Sequence, residues 1–241
     1  MKTMKLSKQV FLLSVLFLGM SCNISLFGIT GKGNVISQKR VIAGFTSIEL
    51  LSAANVEVVK GTGFEVIVSD YENIVDYITT SVVDGQLVIS TNPSVKINRS
   101  NPKVMVIMPE LCMISHKGDG DVDIKSNFES LSSISVSGKG SVKAASCCGI
   151  DKLDVFAYGS GSVDLKGNVK FLKAVISGSG NLNLFDLQAQ SAECIIFGSG
   201  DMQVNAEKEL IATNSGAGNI IYKGEPVVAM NLNGAGSIKR F

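Results

Sequence analysis

One feature governs what this chain can fold into: the segment Gly-x-Gly followed by Asn, Ser or Asp recurs seven times in register. The pairs are Gly118 and Gly120, Gly138 and Gly140, Gly159 and Gly161, Gly178 and Gly180, Gly198 and Gly200, Gly216 and Gly218, and Gly234 and Gly236. First-glycine spacings are 20, 21, 19, 20, 18 and 18. Flanking residues keep a fixed phase. Four before each first glycine stand Ile114, Ile134, Val155, Ala174, Cys194, Ala212 and Met230. Two before stand His116, Val136, Ala157, Ile176, Ile196, Asn214 and Leu232. Val122, Val142, Val163, Leu182, Met202, Ile220 and Ile238 follow four after it, and Ile124, Ala144, Leu165, Leu184, Val204, Tyr222 and Arg240 six after it. Alternation with period two means strands with one buried face.

A unit of about 20 residues cannot bury such a face alone and must stack on its neighbours. Propeller blades are twice as long, and the leucine-rich signature is missing. The reading left is all-β: a right-handed single-stranded parallel β-helix, one coil per repeat, with an irregular N-terminal cap. All fourteen repeat glycines read as structural corners, because glycine accepts positive φ and permits close backbone approach. Asp121, Ser141, Ser162, Asn181, Asp201, Asn219 and Ser237 then offer short polar groups to turn backbone.

The repeated G-x-G-[NSD], the entry segment GNVISQKRVIAGFTSIEL (33–50) and the N-terminal segment described below together resemble the head-GIN-domain family, labelled as auto-transporter adhesins of bacterial envelopes. The resemblance spans about residues 33–241. It implies a right-handed β-helix in a surface or periplasmic setting, and it brings no catalytic residues with it.

Residues 36–111 are less regular. Phe45–Leu51, Val56–Lys60, Phe64–Ser69, Ile78–Val83 and Gln86–Ser90 read as short strands, with Asp84-Gly85 as a hairpin turn and a helical turn within Tyr71–Tyr77. This part reads as degenerate first coils and cap, continuous with the regular coils of 112–241, so that 36–241 forms one domain. A separate small domain is the alternative.

Ahead of it, Lys2, Lys5 and Lys8 precede the apolar run Val10–Met20 and then Ser21-Cys22. Residues 1–21 therefore read as an export signal, too short to span a bilayer, followed by a tether over 22–35. Gly19-Met20-Ser21-Cys22 resembles a bacterial lipobox, departing from it by Gly19 where Leu is usual. Acylation at Cys22 is expected to hold the protein on an envelope membrane, most simply as an outer-membrane lipoprotein, periplasmic or surface-facing, with ordinary signal cleavage as the alternative. Cys112, Cys147, Cys148 and Cys194 have no metal-site spacing, and their pairing is left open by sequence; most read as small buried hydrophobes.

Lys+Arg is 22 against Asp+Glu 21, and loss of the three N-terminal lysines would leave a net charge of −2. No basic surplus exists to follow a phosphate backbone, so nucleic acid is not an expected partner. No copy has the third glycine of a dinucleotide fingerprint, so no nucleotide cofactor is expected. Gly118–Asp123 loosely resembles a calcium repeat, but Lys139 and Lys143 replace its acids in the next copy. No metal is expected there. Asp123, Lys143 and Asp164 fall on successive coils and are the one arrangement a polysaccharide-active enzyme could use. Alternating charge along a ladder is also what cross-strand pairing produces. His116, the single histidine, falls in an inward column. The expected function is therefore non-catalytic: adhesin-like binding of a glycan or an envelope or host protein through an outward face. Tyr158 and Phe197 are its candidate residues, in a column with Lys117, Ser137, Ser177, Ser215 and Asn233. A polysaccharide-active enzyme and a purely structural envelope component are the alternatives, and oligomeric state is not readable.

Overall fold

The computed structural model describes residues 28–241, so the segment expected to be an export signal (1–21) and the expected lipid-attachment residue Cys22 lie outside the described residues. Strands β1 (Ile29–Thr30) and β2 (Val35–Arg40) lead into β3 (Ser47–Leu50) and β4 (Asn55–Lys60). Next come β5 (Glu65–Tyr71), a single 3-10 turn (Val75–Tyr77), β6 (Ile78–Val83), β7 (Gln86–Thr91), β8 (Ile97–Arg99) and β9 (Lys103–Met108). The repeats hold β10 (Met113–His116), β11 (Val122–Ile124) and β12 (Ser133–Val136). Four long strands follow: β13 (Val142–Ala157), β14 (Val163–Ile176), β15 (Leu182–Ile196) and β16 (Met202–Asn214). Last are β17 (Ile220–Lys223), β18 (Val227–Leu232) and β19 (Ile238–Arg240).

Successive coils pair in parallel at the register the repeat demands. Ile114 lies beside Ile134, then Val155, Ala174, Cys194, Ala212 and Met230. The chain is a β-solenoid with about 20 residues per coil. Its four apolar columns point inward and form one core, with Ile114, Val136, Val163, Leu184 and Ile196 fully buried. In the long-strand coils the expected pair of strands per repeat is fused. Residues after one corner run on into those before the next, bending where the register slips between Ala144 and Ile150 and again between Leu184 and Gln188. That third side supplies its own inward columns, Ile150–Val169–Ala189 and Leu153–Leu172–Ala192–Leu210.

Of the two reasons expected for glycine at the corners, the structure keeps close backbone approach and drops positive φ. Positive φ is not needed at Gly118, Gly120, Gly138, Gly140, Gly159, Gly161, Gly178, Gly180, Gly198, Gly200, Gly216, Gly218, Gly234 or Gly236. Among the described residues the glycines with positive φ are instead Gly33, Gly44, Gly85, Gly149, Gly167 and Gly224. A Cβ on a corner glycine would lie 1.7–2.3 Å from a main-chain oxygen of the coil before it. At Gly140, Gly161 and Gly236 the oxygens are those of Gly120 (1.9 Å), Gly140 (2.0 Å) and Gly218 (1.7 Å). Those three positions are crowded from the core side as well, since the same Cβ would come within 2.8 Å of His116 Nε2, Val136 Cγ1 and Asn214 Nδ2 respectively. Close stacking alone demands glycine here.

The polar residue after each pair also acts between coils. Asn55 Oδ1 accepts from Asp121 N (3.0 Å), Asp121 Oδ1 from Ser141 N (2.8 Å), and Asn181 Oδ1 from Asp201 N (2.8 Å). Above them Asp201 Oδ1 accepts from Asn219 N (2.7 Å), and Asn219 Oδ1 from Ser237 N (3.1 Å).

The N-terminal part departs from simple stacking. β3 and β4 form a coil directly beneath β10 and β11, pairing Ile48 with Ile114 and Val56 with Val122. Its corner is Ser52-Ala53-Ala54-Asn55, an eighth copy without glycine. The coil beneath replaces a tight corner with the loop between β7 and β9, so side chains fit. That lower coil comes later in the chain: β7 pairs with β3, and β9 with β4. The chain thus enters at one coil, drops below it, and then passes it to begin β10. Antiparallel strands close this end: β6 on β7 through Asp84 (φ 49) and Gly85 (φ 74), and β2 on β5 on β9. β2 to β7, β9 and all later strands belong to one 17-stranded sheet.

Candidate functional site

The face built by β10, β12, the later halves of β13–β16, and β18 carries the candidate residues. Alternation turns every second side chain outward, and the register sets these side chains in a grid. On three successive coils it reads Lys152–Asp154–Phe156–Tyr158, then Phe171–Lys173–Val175–Ser177, then Ser191–Glu193–Ile195–Phe197. Tyr158 and Phe197 are 52% and 59% exposed and stand two coils apart with Ser177 between, about 10 Å by strand spacing. Tyr158 does not stand alone. Its ring stacks on Phe156, centroids 5.8 Å apart and 5° between planes. Val175 points outward by phase yet is only 8% exposed, while Phe156 and Ile195, its register partners, are half-buried. Sequence reading missed Phe156, Val175 and Ile195, although they share one outward column, three before each first glycine.

Beside this apolar strip lies a shallow recess of about 290 Å³ bordered by Phe171, Lys173, Glu193, Glu209 and Ile211. Phe171 is 56% exposed, and Lys173 Nζ donates to Glu193 Oε2 at 2.9 Å across adjacent coils. The face therefore offers exposed rings on a rigid sheet, rimmed by paired charges.

Asp123, Lys143 and Asp164 are brought together as register partners on the face after the corner. The run begins one coil lower, with Glu57 beside Asp123. Glu57 fits the eighth corner at the same offset from Ser52, a signal already present in the phase of Ile48, Leu50, Val56 and Val58. Asp123 pairs with Lys125, and its hydrogen bond and charge raise the Lys125 pKa, with Glu57 adding. Asp164 Oδ2 accepts from Asn183 Nδ2 at 3.2 Å. Asp121 is a rung of the corner ladder, while Asp119 is exposed on the same turn. Among the described residues no cluster of three or more His, Cys, Asp or Glu is placed to hold a metal.

His116 is fully buried, as its column requires, with Nε2 against Gly120 O of its own corner and Nδ1 unpartnered. Asn214 occupies the same column and repeats the contact: Nδ2 donates to Gly218 O at 2.7 Å, and Oδ1 accepts from Gly216 N at 3.1 Å. Both polar side chains serve the corner. Cys112, Cys147, Cys148 and Cys194 are free thiols; Cys147 and Cys194 are buried, but Cys112 and Cys148 are half-exposed rather than core residues. Burial pushes the Cys147 and Cys194 pKa values up to about 12, with neighbouring Cys148 and Glu193 adding to the rise. No helix among the described residues is long and apolar enough to cross a membrane.

Comparison with known proteins agrees with this architecture. The family model described as "Putative auto-transporter adhesin, head GIN domain" matches residues 44–226. No curated protein matches the chain. Among solved structures, a "putative adhesin" of Bacteroides fragilis is 30% identical, with a TM-score of 0.84 over 89% of this chain and 100% of that one. A "putative lipid binding protein" of Parabacteroides distasonis is 26% identical, with a TM-score of 0.68 over 88% of this chain and 99% of that one. A "putative adhesin" of Parabacteroides merdae, 20% identical with a TM-score of 0.70 over 88% and 98%, shares the fold.

Proposed function

The chain belongs to the head-GIN-domain family, and from that membership we propose a non-catalytic envelope protein that binds a glycan or protein partner through the face around Tyr158 and Phe197. The observation that carries this is the outward apolar strip: stacked Phe156 and Tyr158, covered Val175, and Phe197 standing free on a stiff sheet. Rings held on a rigid support lose little conformational freedom on binding, and they present an apolar face that suits a sugar ring or another apolar surface. Reading the protein as a binder rather than an enzyme is supported by where its titratable groups go. His116 is locked into a corner, and Asp123 and Asp164 are engaged by Lys125 and Asn183.

The test is a screen of glycans and envelope extracts with the purified protein, followed by product analysis. Saturable binding without turnover, weakened at least tenfold by Tyr158→Ala or Phe197→Ala, is the expected result. Released oligosaccharide that is lost in Asp123→Ala, Lys143→Ala or Asp164→Ala would establish an enzyme instead. Binding that ignores both aromatic substitutions would move the site elsewhere, and no binding at all would favour a structural component.

We further propose export and acylation at Cys22, leaving the solenoid held on a bacterial envelope membrane. Gly28, the first described residue, leads into β1, which pairs with β8 near the capped end. A tether from Cys22 to Gly28 reaches at most ~20 Å, so that end would face the membrane. Cells fed a clickable fatty acid should label the wild-type chain and not Cys22→Ala; label retained in the variant would refute the assignment.

A further inference from the structure

The two ends of the solenoid are finished differently. At the N-terminal end β7 and β9 each have an antiparallel strand on their outer side. At the other end β18 pairs with β16 and β19 with β17, and among the described residues nothing pairs with their outer edges. Inward columns that are fully covered in every middle coil surface here: Met230 is 50% and Leu232 51% exposed, whereas Ala212 and Asn214 directly below are 0%. Val227 is 79% exposed. The edge strand Val227-Val228-Ala229-Met230-Asn231-Leu232 carries no charge and no proline, the devices that usually keep a strand edge from pairing.

We propose that this edge pairs with the same edge of a second copy of the chain, antiparallel, about a two-fold axis through Met230. The sequence of the edge is self-complementary in that register. A two-fold axis normal to the sheet keeps inward side chains inward, so Met230 meets Met230 of the second copy, and Val228 meets Leu232. All three belong to the inward phase, as their partners Leu210, Ala212 and Asn214 do. The two apolar cores then become continuous, and the free N–H and C=O groups of both β18 strands are satisfied at once. Centring the pair between residues would set inward side chains against outward ones and lose this match.

The charges around the end coil are already matched within one copy and do not oppose the pairing: Arg240 Nη2 donates to Glu225 Oε1 at 2.9 Å. Lys223 is turned back onto the rings of Phe185 and Phe241, 4.2 and 5.1 Å from their centroids. The end surface is also large enough. A coil of 18 residues, the spacing of Gly216 and Gly234, has a perimeter of about 60 Å; with its outer side chains it presents roughly 600 Å² per copy, within reach of the ~800 Å² per partner of a standard interface. Because the two-fold uses the β18 edge of both copies, pairing stops at two copies rather than running on into a fibre. The capped ends then lie at the far ends of the assembly, a geometry suited to copies held on facing surfaces.

The proposal is tested on the purified full-length chain. Light scattering should give twice the protomer mass for the wild type and the protomer mass for Met230→Lys, which sets two ammonium groups face to face at the axis. Met230 is half-exposed, so this variant keeps the fold, and its circular dichroism should match the wild type. Met230→Cys should form a disulfide-linked dimer on mild oxidation at least tenfold faster than the wild type, whose half-exposed Cys112 and Cys148 serve as the control. A wild type of protomer mass throughout the micromolar range would overturn the proposal. So would a dimer that survives Met230→Lys unchanged. Neither readout involves Tyr158 or Phe197, so failure here and failure of the binding face are separate results.

Discussion

Adding one methyl group at Gly200 tests why the corners are glycine. In Gly200→Ala the new Cβ would sit 1.9 Å from Gly180 O and 2.8 Å from Gly180 C, both main-chain atoms that no rotamer change can move aside. Ordinary contact begins near 3.4 Å, so the two coils must part locally by about 1.5 Å. The bonds across that gap include Ser199 N to Gly178 O at 3.0 Å and Asp201 N to Asn181 Oδ1 at 2.8 Å. Stretching them by about 1.5 Å breaks them. Two lost bonds at the exposed residues Ser199 and Asp201, about 1 kcal/mol each, together with about 1–3 kcal/mol of overpacking strain, come to about 3–5 kcal/mol. Gly44→Ala is the matched comparison, because Gly44 has φ +79 and nothing within 4 Å of the added methyl. Its cost is left-handed backbone strain alone, about 1–2 kcal/mol. Urea unfolding followed by circular dichroism should rank Gly200→Ala well below Gly44→Ala in stability. Equal losses, or a loss under about 1 kcal/mol at Gly200, would refute the stacking argument.

Asn214→Leu should cost about 2–3 kcal/mol by stranding Gly216 N and Gly218 O, while Asn214→His should recover part of it, since His116 makes the equivalent contact; urea midpoints of the three proteins decide this. The buried thiols make the fold sensitive to alkali. Unfolded thiols ionise near 9.0, whereas Cys147 and Cys194 are held neutral in the fold up to about 12. A raised folded pKa gives stability that is whole below pH 9 and lost as pH climbs towards 12, on the order of 2 kcal/mol per thiol by pH 10.5. Cys194→Ala should therefore flatten the fall in urea midpoint between pH 8 and 10.5, and an unchanged slope would contradict the assignment.

The repeat was legible in the chain because a stacked coil places like residue on like residue. Ile114, Ile134 and Val155 share a column in space for the same reason that they share a phase in sequence, and the inward position of His116 followed from counting. The Asp84-Gly85 hairpin was legible for a different reason: a two-residue turn is a local matter of positive φ. Tyr158 and Phe197 were assigned outward by the same alternation, but alternation says nothing about which neighbours gather round them. Phe156, Val175 and Ile195 form a strip with them only because three coils are held in register.

Tertiary structure alone decided the rest. A Gly-x-Gly pair reads identically whether the glycine is needed for its φ or for its missing side chain, and only the carbonyl of the coil beneath distinguishes the two. The order of the first coils was hidden because β7 and β9 are joined by a loop instead of a corner, so no period marks them as a coil beneath β3 and β4. Strand pairing acts between neighbours in space. Sequence reports it only where the chain advances by one repeat per coil, and in the cap the chain doubles back.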